Sequence, residues 1–297
     1  MKITITGATG FVGKNLQDYL KTDYQVKPLS ARFFSNQMFN FEDDIIVHLA
    51  GKAHDLKKVS NPQEYYEANF ELTKQLFYAF LQSKAKVFVF MSTVKAVADV
   101  VDGVLTEDVK PGAKTHYGIS KQQAEEYILN QKLPQGKRVY ILRPCMIHGP
   151  GNKGNLNLLY QLVAKGLPWP LGAFDNQRSF LSVENLCFVI KELLENTSIP
   201  SGIYNVADDE SLSTNELIEL LGQSLGKKNR VMKIPTRLIK KIASVGDVLH
   251  LPLNSERLQK LTENYVISNE KIKKALGKEL PIPTREGLLI TFDSFKQ

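Results

Sequence analysis

The first twenty residues, MKITITGATGFVGKNLQDYL, constrain the fold more than any other stretch. Ile3 and Ile5 alternate with Thr4 and Thr6, the two-residue period of a strand. Val12, Leu16 and Leu20 recur every four residues and so share one face of a helix. Between the two runs stand Gly7, Gly10 and Gly13, three apart. The piece reads strand, glycine turn, helix. Such a turn lets the backbone approach a pyrophosphate, while the helix behind it offers free N–H groups and the positive end of its dipole. Glycines at this spacing also serve ordinary tight turns and helix packing. The motif gains its meaning from standing at the first strand-helix junction of an α/β pattern.

That pattern continues through the first half of the chain. VKPL follows the first helix, IIVHLAG (45–51) is a buried strand, and residues 61–83 form a long amphipathic helix. KVFVFMST (86–93) is the next strand, residues 116–131 the next helix, and VYILRP (139–144) another strand. Alternation of this kind implies right-handed crossovers and an α/β fold, a doubly wound parallel sheet of the Rossmann type. From Gly149 onward, Pro and Gly break the pattern in GPGNKGN and GLPWPLGAFDNQ, and IYNVAD (203–208) reads as one more strand of the sheet. The expected division is a dinucleotide-binding domain over 1–150, with 176–206 returning to it. Residues 151–175 and 207–297 would form a smaller, mostly helical substrate-binding region.

A content of 43% apolar and 23% charged residues is that of a globular chain and excludes disorder. Cys145 and Cys187 are far apart and show no metal-ligand spacing, so no metal site is expected and two thiols in a reducing compartment are. No apolar run reaches membrane-spanning length, and the glycine-rich start does not suit a signal peptide. The expectation is a cytoplasmic protein without a membrane partner. The net charge of +7 gathers late, in GKKNR, RLIKK and EKIKKALGK, where the basic residues interleave with apolar ones at helical spacing. They read as solvated helix faces that would welcome an anionic substrate, and no nucleic-acid motif accompanies them.

Chemistry concentrates at the fourth crossover. Tyr117 and Lys121 lie four apart on a helix and hence on one face. A charged Lys121 would favour the phenolate and lower the pKa of Tyr117, making it a proton donor or acceptor near neutrality. MST (91–93) ends the preceding strand, and ligands of open α/β sheets bind beyond the carboxyl ends of the strands. Thr93, or its neighbour Ser92, would then reach the same substrate oxygen.

Together these segments resemble the extended short-chain dehydrogenase/reductase family, specifically its nucleotide-sugar epimerases, dehydratases and reductases. TGATGFVG (6–13) is similar to the cofactor loop, VHLAG (47–51) to the fourth-strand motif, STVKAV (92–97) to the catalytic Ser/Thr strand end and YGISK (117–121) to the Tyr-x-x-x-Lys pair. LRPCMIHGPGNKGN (142–155) and RSFLSVENL (178–186) resemble the arginine-proline strand and the diphosphate-binding segment.

The resemblance implies Tyr117 as acid/base, Lys121 as its partner and ribose contact, and Thr93 on the substrate oxygen. It implies cofactor contacts from Gly7, Thr9, Gly10, Phe11, Val12 and Gly13, from Leu49, Ala50 and Gly51, and from Asn69 and Pro144. Arg178 would grip the diphosphate of a UDP-sugar, with Asn155 and Arg257 as further contacts and Trp169 in a base or sugar pocket or in simple packing. PLSAR (28–32) replaces the acidic residue of an NAD-preferring member, and Ser30 and Arg32 would accommodate a 2'-phosphate, favouring NADP over NAD. Residues 32–44 show no clear third strand and no adenine-contacting aspartate.

Two reactions fit these residues: reduction of a UDP-4-keto-N-acetylhexosamine for surface polysaccharide, to which the missing acidic residue points, and 4-epimerisation of a UDP-hexose or a UDP-N-acetylhexosamine. A dinucleotide-binding protein without chemistry would be expected to relax the Tyr, Lys or Thr positions, which are all present. The resemblance also implies a homodimer built on the helices at 61–83 and 116–131.

Overall fold

The structure is a computed structural model and describes residues 1–52, 61–152, 154–228, 230–249 and 254–296. Strand β1 (Lys2–Thr6) leads through the glycine turn into helix α1 (Phe11–Leu20) and strand β2 (Gln25–Leu29). Residues 30–44 carry neither strand nor helix before β3 (Ile45–His48). One helical rod then spans residues 63–82 as α2 (Gln63–Tyr66), a π-helical turn (Glu67–Glu71) and α3 (Leu72–Gln82). After it come β4 (Val87–Met91), a 3-10 turn (Val94–Ala96), β5 (Val104–Leu105), α4 (His116–Leu129) and β6 (Arg138–Pro144). Next are β7 (Met146–His148), α5 (Asn155–Ala164), β8 (Arg178–Ser182), α6 (Val183–Glu195) and β9 (Gly202–Val206). The remainder holds β10 (Ser211–Leu212), α7 (Thr214–Leu225), α8 (Thr236–Leu249), α9 (Ser255–Thr262), β11 (Val266–Ile267), α10 (Glu270–Leu276) and α11 (Thr284–Asp293).

Six parallel strands make the central sheet in the order β2-β1-β3-β4-β6-β9. The two-residue period sends alternate side chains to opposite faces. Ile3, Ile5, Val47, Val89, Tyr140 and Leu142 join the core beneath α1, α6 and α10, whereas Ile46, Phe88, Phe90 and Ile141 join the core beneath α3 and α4. Both faces are covered, so the fold is the doubly wound one that the alternation implies. β2 forms the edge, the position in a sheet where Pro28, which has no N–H, is tolerated. Residues 30–44 add none, in keeping with the missing third strand.

The expected strand at 203–208 pairs with β6 as β9. β7 and β8 stand apart with β10 in a three-stranded sheet. A third core, including Leu156, Trp169, Phe180, Leu217, Leu288 and Phe292, lies beneath the C-terminal helices. Trp169 is 3% exposed and its indole N–H donates to Asn215 Oδ1 at 3.0 Å, so of its two expected roles it fills the packing one.

Candidate active site

Gly7 turns the chain out of β1 with φ +69°, and a Cβ there would lie 2.6 Å from the nitrogen of Ala50. Only glycine tolerates both the left-handed backbone and that approach. Gly10 caps α1 in extended conformation, its N–H donating to the Gly7 carbonyl at 3.0 Å, and Gly13 is buried in the first turn. No side chain caps α1 and its first turn carries no acidic residue, which leaves the positive helix end open to an anion. Thr9 and Gly10 are exposed there, Phe11 and Val12 half-buried.

Beneath the turn runs a buried polar chain. Thr73 Oγ1 donates to the Asn69 carbonyl at 2.7 Å, which leaves its oxygen to accept from His48 Nε2 at 2.9 Å. His48 Nδ1 is then the acceptor for the Thr6 hydroxyl at 2.7 Å, and Thr6 Oγ1 in turn accepts from the Ala50 N–H at 3.1 Å. Burial, and then the charge of Lys121, hold the His48 pKa well below its ordinary value, so the ring is neutral and its tautomer is set by its neighbours. Asn69 sits in the π-helical turn. Its Oδ1 accepts from the Lys52 N–H at 2.8 Å, and its Nδ2 donates to the Lys52 carbonyl at 3.1 Å and to Ser120 Oγ at 3.0 Å. A Cβ on Gly51 would come 2.6 Å from Asn69 Oδ1 and 3.1 Å from Lys121 Nζ. Gly51 thus lets Asn69 and Lys121 approach the backbone more closely than a side chain would allow. The uncapped start of α1 suits the diphosphate of a dinucleotide.

Thr93, Tyr117 and Lys121 come together as their order in the sequence suggests. Thr93 is extended and caps the 3-10 turn, accepting from the Lys95 N–H at 3.2 Å, and its hydroxyl hydrogen-bonds the Tyr117 phenol. Tyr117 opens α4, which is capped by Thr115 Oγ1 accepting from the Gly118 N–H at 3.2 Å. Lys121 is buried, donates to the Met91 carbonyl at 2.8 Å and rides 4.8 Å above the Phe90 ring.

One expectation is corrected here: the Tyr117 pKa is raised rather than lowered. Desolvation dominates, the Thr93 hydrogen bond opposes it, and Tyr65, whose ring lies 6.2 Å away, adds to the rise. The Lys121 ammonium is turned to the Met91 carbonyl, and its own pKa is pushed down to about 8 by burial, with Glu125 opposing. In this state Tyr117 is a protonated phenol at neutral pH and therefore an acid.

Several participants were not visible as such in the sequence. Ser92 donates to Glu125 Oε1, and Glu125 takes Arg143 Nε at 3.0 Å and its terminal nitrogen at 2.5 Å, both residues being 2% exposed. This pair braces the ends of β4 and β6 behind Thr93, so Ser92 belongs to the strand end. Lys95 lies 4.2 Å above the Tyr265 ring and donates to the Asp99 carbonyl at 2.8 Å, with its pKa lowered by burial. The contacts of Ser92 and Lys95 connect residues 33 and 170 positions apart, so spacing carries no signal for them.

The outlying candidates divide. Pro144 is buried at the end of β6. Arg178, at the start of β8, is one-fifth exposed, donates to the Lys260 carbonyl of α9 and lies 3.9 Å from Glu263 Oε1. Its pKa is lowered by burial. Arg257 is exposed on α9, its N–H donating to Asn254 Oδ1 at 2.9 Å. The side chain of Asn155 lies outside the described residues. Ser30 and Arg32 are exposed just beyond β2, with Ala31 between them and no carboxylate among the three.

The sheet, glycine turn and Thr/Tyr/Lys cluster define a dinucleotide-binding enzyme class. The NAD dependent epimerase/dehydratase family matches residues 3–207, and the chain belongs to that family. Among curated proteins, it is 29% identical to a UDP-glucose 4-epimerase of Vibrio cholerae, over 99% of this chain and 95% of that one. It is 30% identical to an N-acetyl-alpha-D-glucosaminyl-diphospho-ditrans,octacis-undecaprenol 4-epimerase of Escherichia coli O157:H7, over 92% of this chain and 84% of the other. Among solved structures, RMD from Pseudomonas aeruginosa, complexed with NADPH, superposes with a TM-score of 0.75 at 21% identity over all of both chains.

Proposed function

We propose that the protein reduces a UDP-linked 4-keto-N-acetylhexosamine at C4, for surface polysaccharide synthesis, with NADPH as reductant. The observation that carries this reading is the end of β2, where Ser30 and Arg32 are exposed and no acidic side chain opposes a 2'-phosphate. NADPH, when bound, supplies hydride. Tyr117, kept protonated by burial, gives its phenolic proton to the C4 oxygen. Thr93, already hydrogen-bonded to that phenol, orients the same oxygen. Lys121 holds the ribose and Asn69 keeps the backbone at 51–52 in place beside it. Arg178 turns its guanidinium from the long Glu263 contact to the diphosphate, whose oxygens match its donors.

A 4-epimerase reading is favoured by a separate observation: the two curated relatives described above, 29% and 30% identical to this chain, both carry that name. In it, Tyr117 first removes the C4 hydroxyl proton and later returns it. Redox balance separates the two, because an epimerase regenerates its cofactor in each cycle. Offered a UDP-4-keto-6-deoxy-N-acetylhexosamine, the protein should oxidise one NADPH per sugar reduced, and use NADPH in preference to NADH. Interconversion of UDP-N-acetylglucosamine and UDP-N-acetylgalactosamine without net NADPH loss would replace the reductase reading with the epimerase one.

A further inference from the structure

We propose that helix α8 docks the protein on the surface of an anionic lipid bilayer, in a manner independent of which C4 reaction it performs. α8 has two dissimilar apolar faces. Ile239, Ala243 and Gly246 are buried, the first two within the C-terminal core. Leu238, Ile242, Val245 and Leu249, at spacings of four, three and four, form a second stripe within an arc of about 60°. These four and the nearby Val248 are 45% to 77% exposed. One exposed Leu is ordinary, but five exposed apolar side chains on a single helix are, among the described residues, an uncovered surface.

Charge identifies the occupant. From Lys227 to Leu249 the chain carries seven basic side chains, Lys227, Lys228, Arg230, Lys233, Arg237, Lys240 and Lys241, against one carboxylate, Asp247. Asp247 is turned away to Ser255, accepting its N–H at 2.9 Å and its hydroxyl at 2.5 Å. Among the described residues, Arg237, Lys240 and Lys241 have no ion-pair partner, and all three are exposed. A two-fold contact between copies would set this basic patch against itself, so repulsion opposes a second copy as the cover. Lys241 and Arg237 lie on one flank of the apolar stripe, Lys240 on the far face, and a stripe with this flank suits acyl chains below and lipid phosphates alongside.

No helix among the described residues is long and apolar enough to cross a membrane, and α8, at 14 residues, would lie in the interface. The expectation of no membrane partner rested on spanning length, on the unsuited start of the chain and on reading RLIKK as a solvated helix face, and none of these weighs an exposed apolar stripe on the same helix. α8 packs beside α9, whose Lys260 carbonyl takes the Arg178 guanidinium, so docking sets the bilayer one helix away from that arginine.

The test is co-sedimentation of the full chain with vesicles. It should bind vesicles of equimolar phosphatidylglycerol and phosphatidylcholine, bind phosphatidylcholine alone far less, and release at high salt. Changing Arg237 and Lys241 together to Gln should lower partition roughly 25-fold, at about fivefold per charge. Val245→Ser with Val248→Ser, both at exposed positions, should also weaken binding while leaving circular dichroism and NADPH binding unchanged. Wild-type protein that fails to sediment with either vesicle, or serine variants that bind like wild type, would overturn the proposal. So would serine variants that shrink a larger species in light scattering while wild type ignores vesicles, because the stripe would then be a face between copies.

Discussion

Arg143 and Arg285 each clamp glutamate with two nitrogens, yet they do different work. Arg143 holds Glu125 where both are 2% exposed, behind the Thr93 strand end. Arg285 binds Glu210 at 2.9 Å and Glu216 at 2.7 Å, with the three side chains 34% to 47% exposed. The contrast runs through the molecule. On the cofactor side, Thr6, His48, Asn69, Thr73 and Ser120 are fully buried, with their polar atoms in one connected set of hydrogen bonds. In the C-terminal region, Arg178, Arg257 and Lys260 sit on short helices or strand starts with partial or full exposure. A buried, fully paired polar network over-determines its geometry, whereas exposed charges can be re-aimed at little cost. Thr93, Tyr117 and Lys121 stand on the rigid side, and the exposed charges of α9 and the start of β8 on the adaptable one.

The largest test of this contrast compares the two arginine clamps. Glu125→Ala should cost about 3–5 kcal/mol, because it strands a buried guanidinium, whereas Arg285→Ala should cost no more than about 1 kcal/mol. Equal losses in urea titration would erase the distinction. Next comes the site itself. Tyr117→Phe should lower turnover at least about a hundredfold while leaving cofactor affinity nearly unchanged, since the aromatic ring and its Tyr65 neighbour remain. Turnover near wild type would remove Tyr117 from proton transfer.

The smallest effect is the most diagnostic of buried neutrality. The folded pKa of His48 lies below its unfolded value, so the unfolded chain binds the proton first as pH falls. Stability from this group is whole above about pH 6.5 and declines below it, by up to about 1.4 kcal/mol per pH unit. His48→Gln should remove that share of the slope between pH 6.5 and 5.5. A slope matching wild type would show that His48 is free to charge in the folded protein.

Local pattern carried the strands, the long helices, the glycine turn and the α/β class, because periods of two and near four depend only on neighbours along the chain. It also carried the meeting of Thr93, Tyr117 and Lys121, since a strand end and the first turn of the following helix must converge in a parallel sheet. The direction of the Tyr117 shift was beyond it. The four-residue spacing places a cation near the phenol but does not say that the Met91 carbonyl claims it, or that Tyr65 closes over the ring. Glu125 with Arg143, His48 with Thr73, and Lys95 with Tyr265 likewise join residues 18, 25 and 170 positions apart. Desolvation and hydrogen-bond competition are properties of an enclosed volume, and only the folded chain encloses one. Residue identity therefore determined which groups were available for chemistry, and burial decided which of them were charged, paired or exposed.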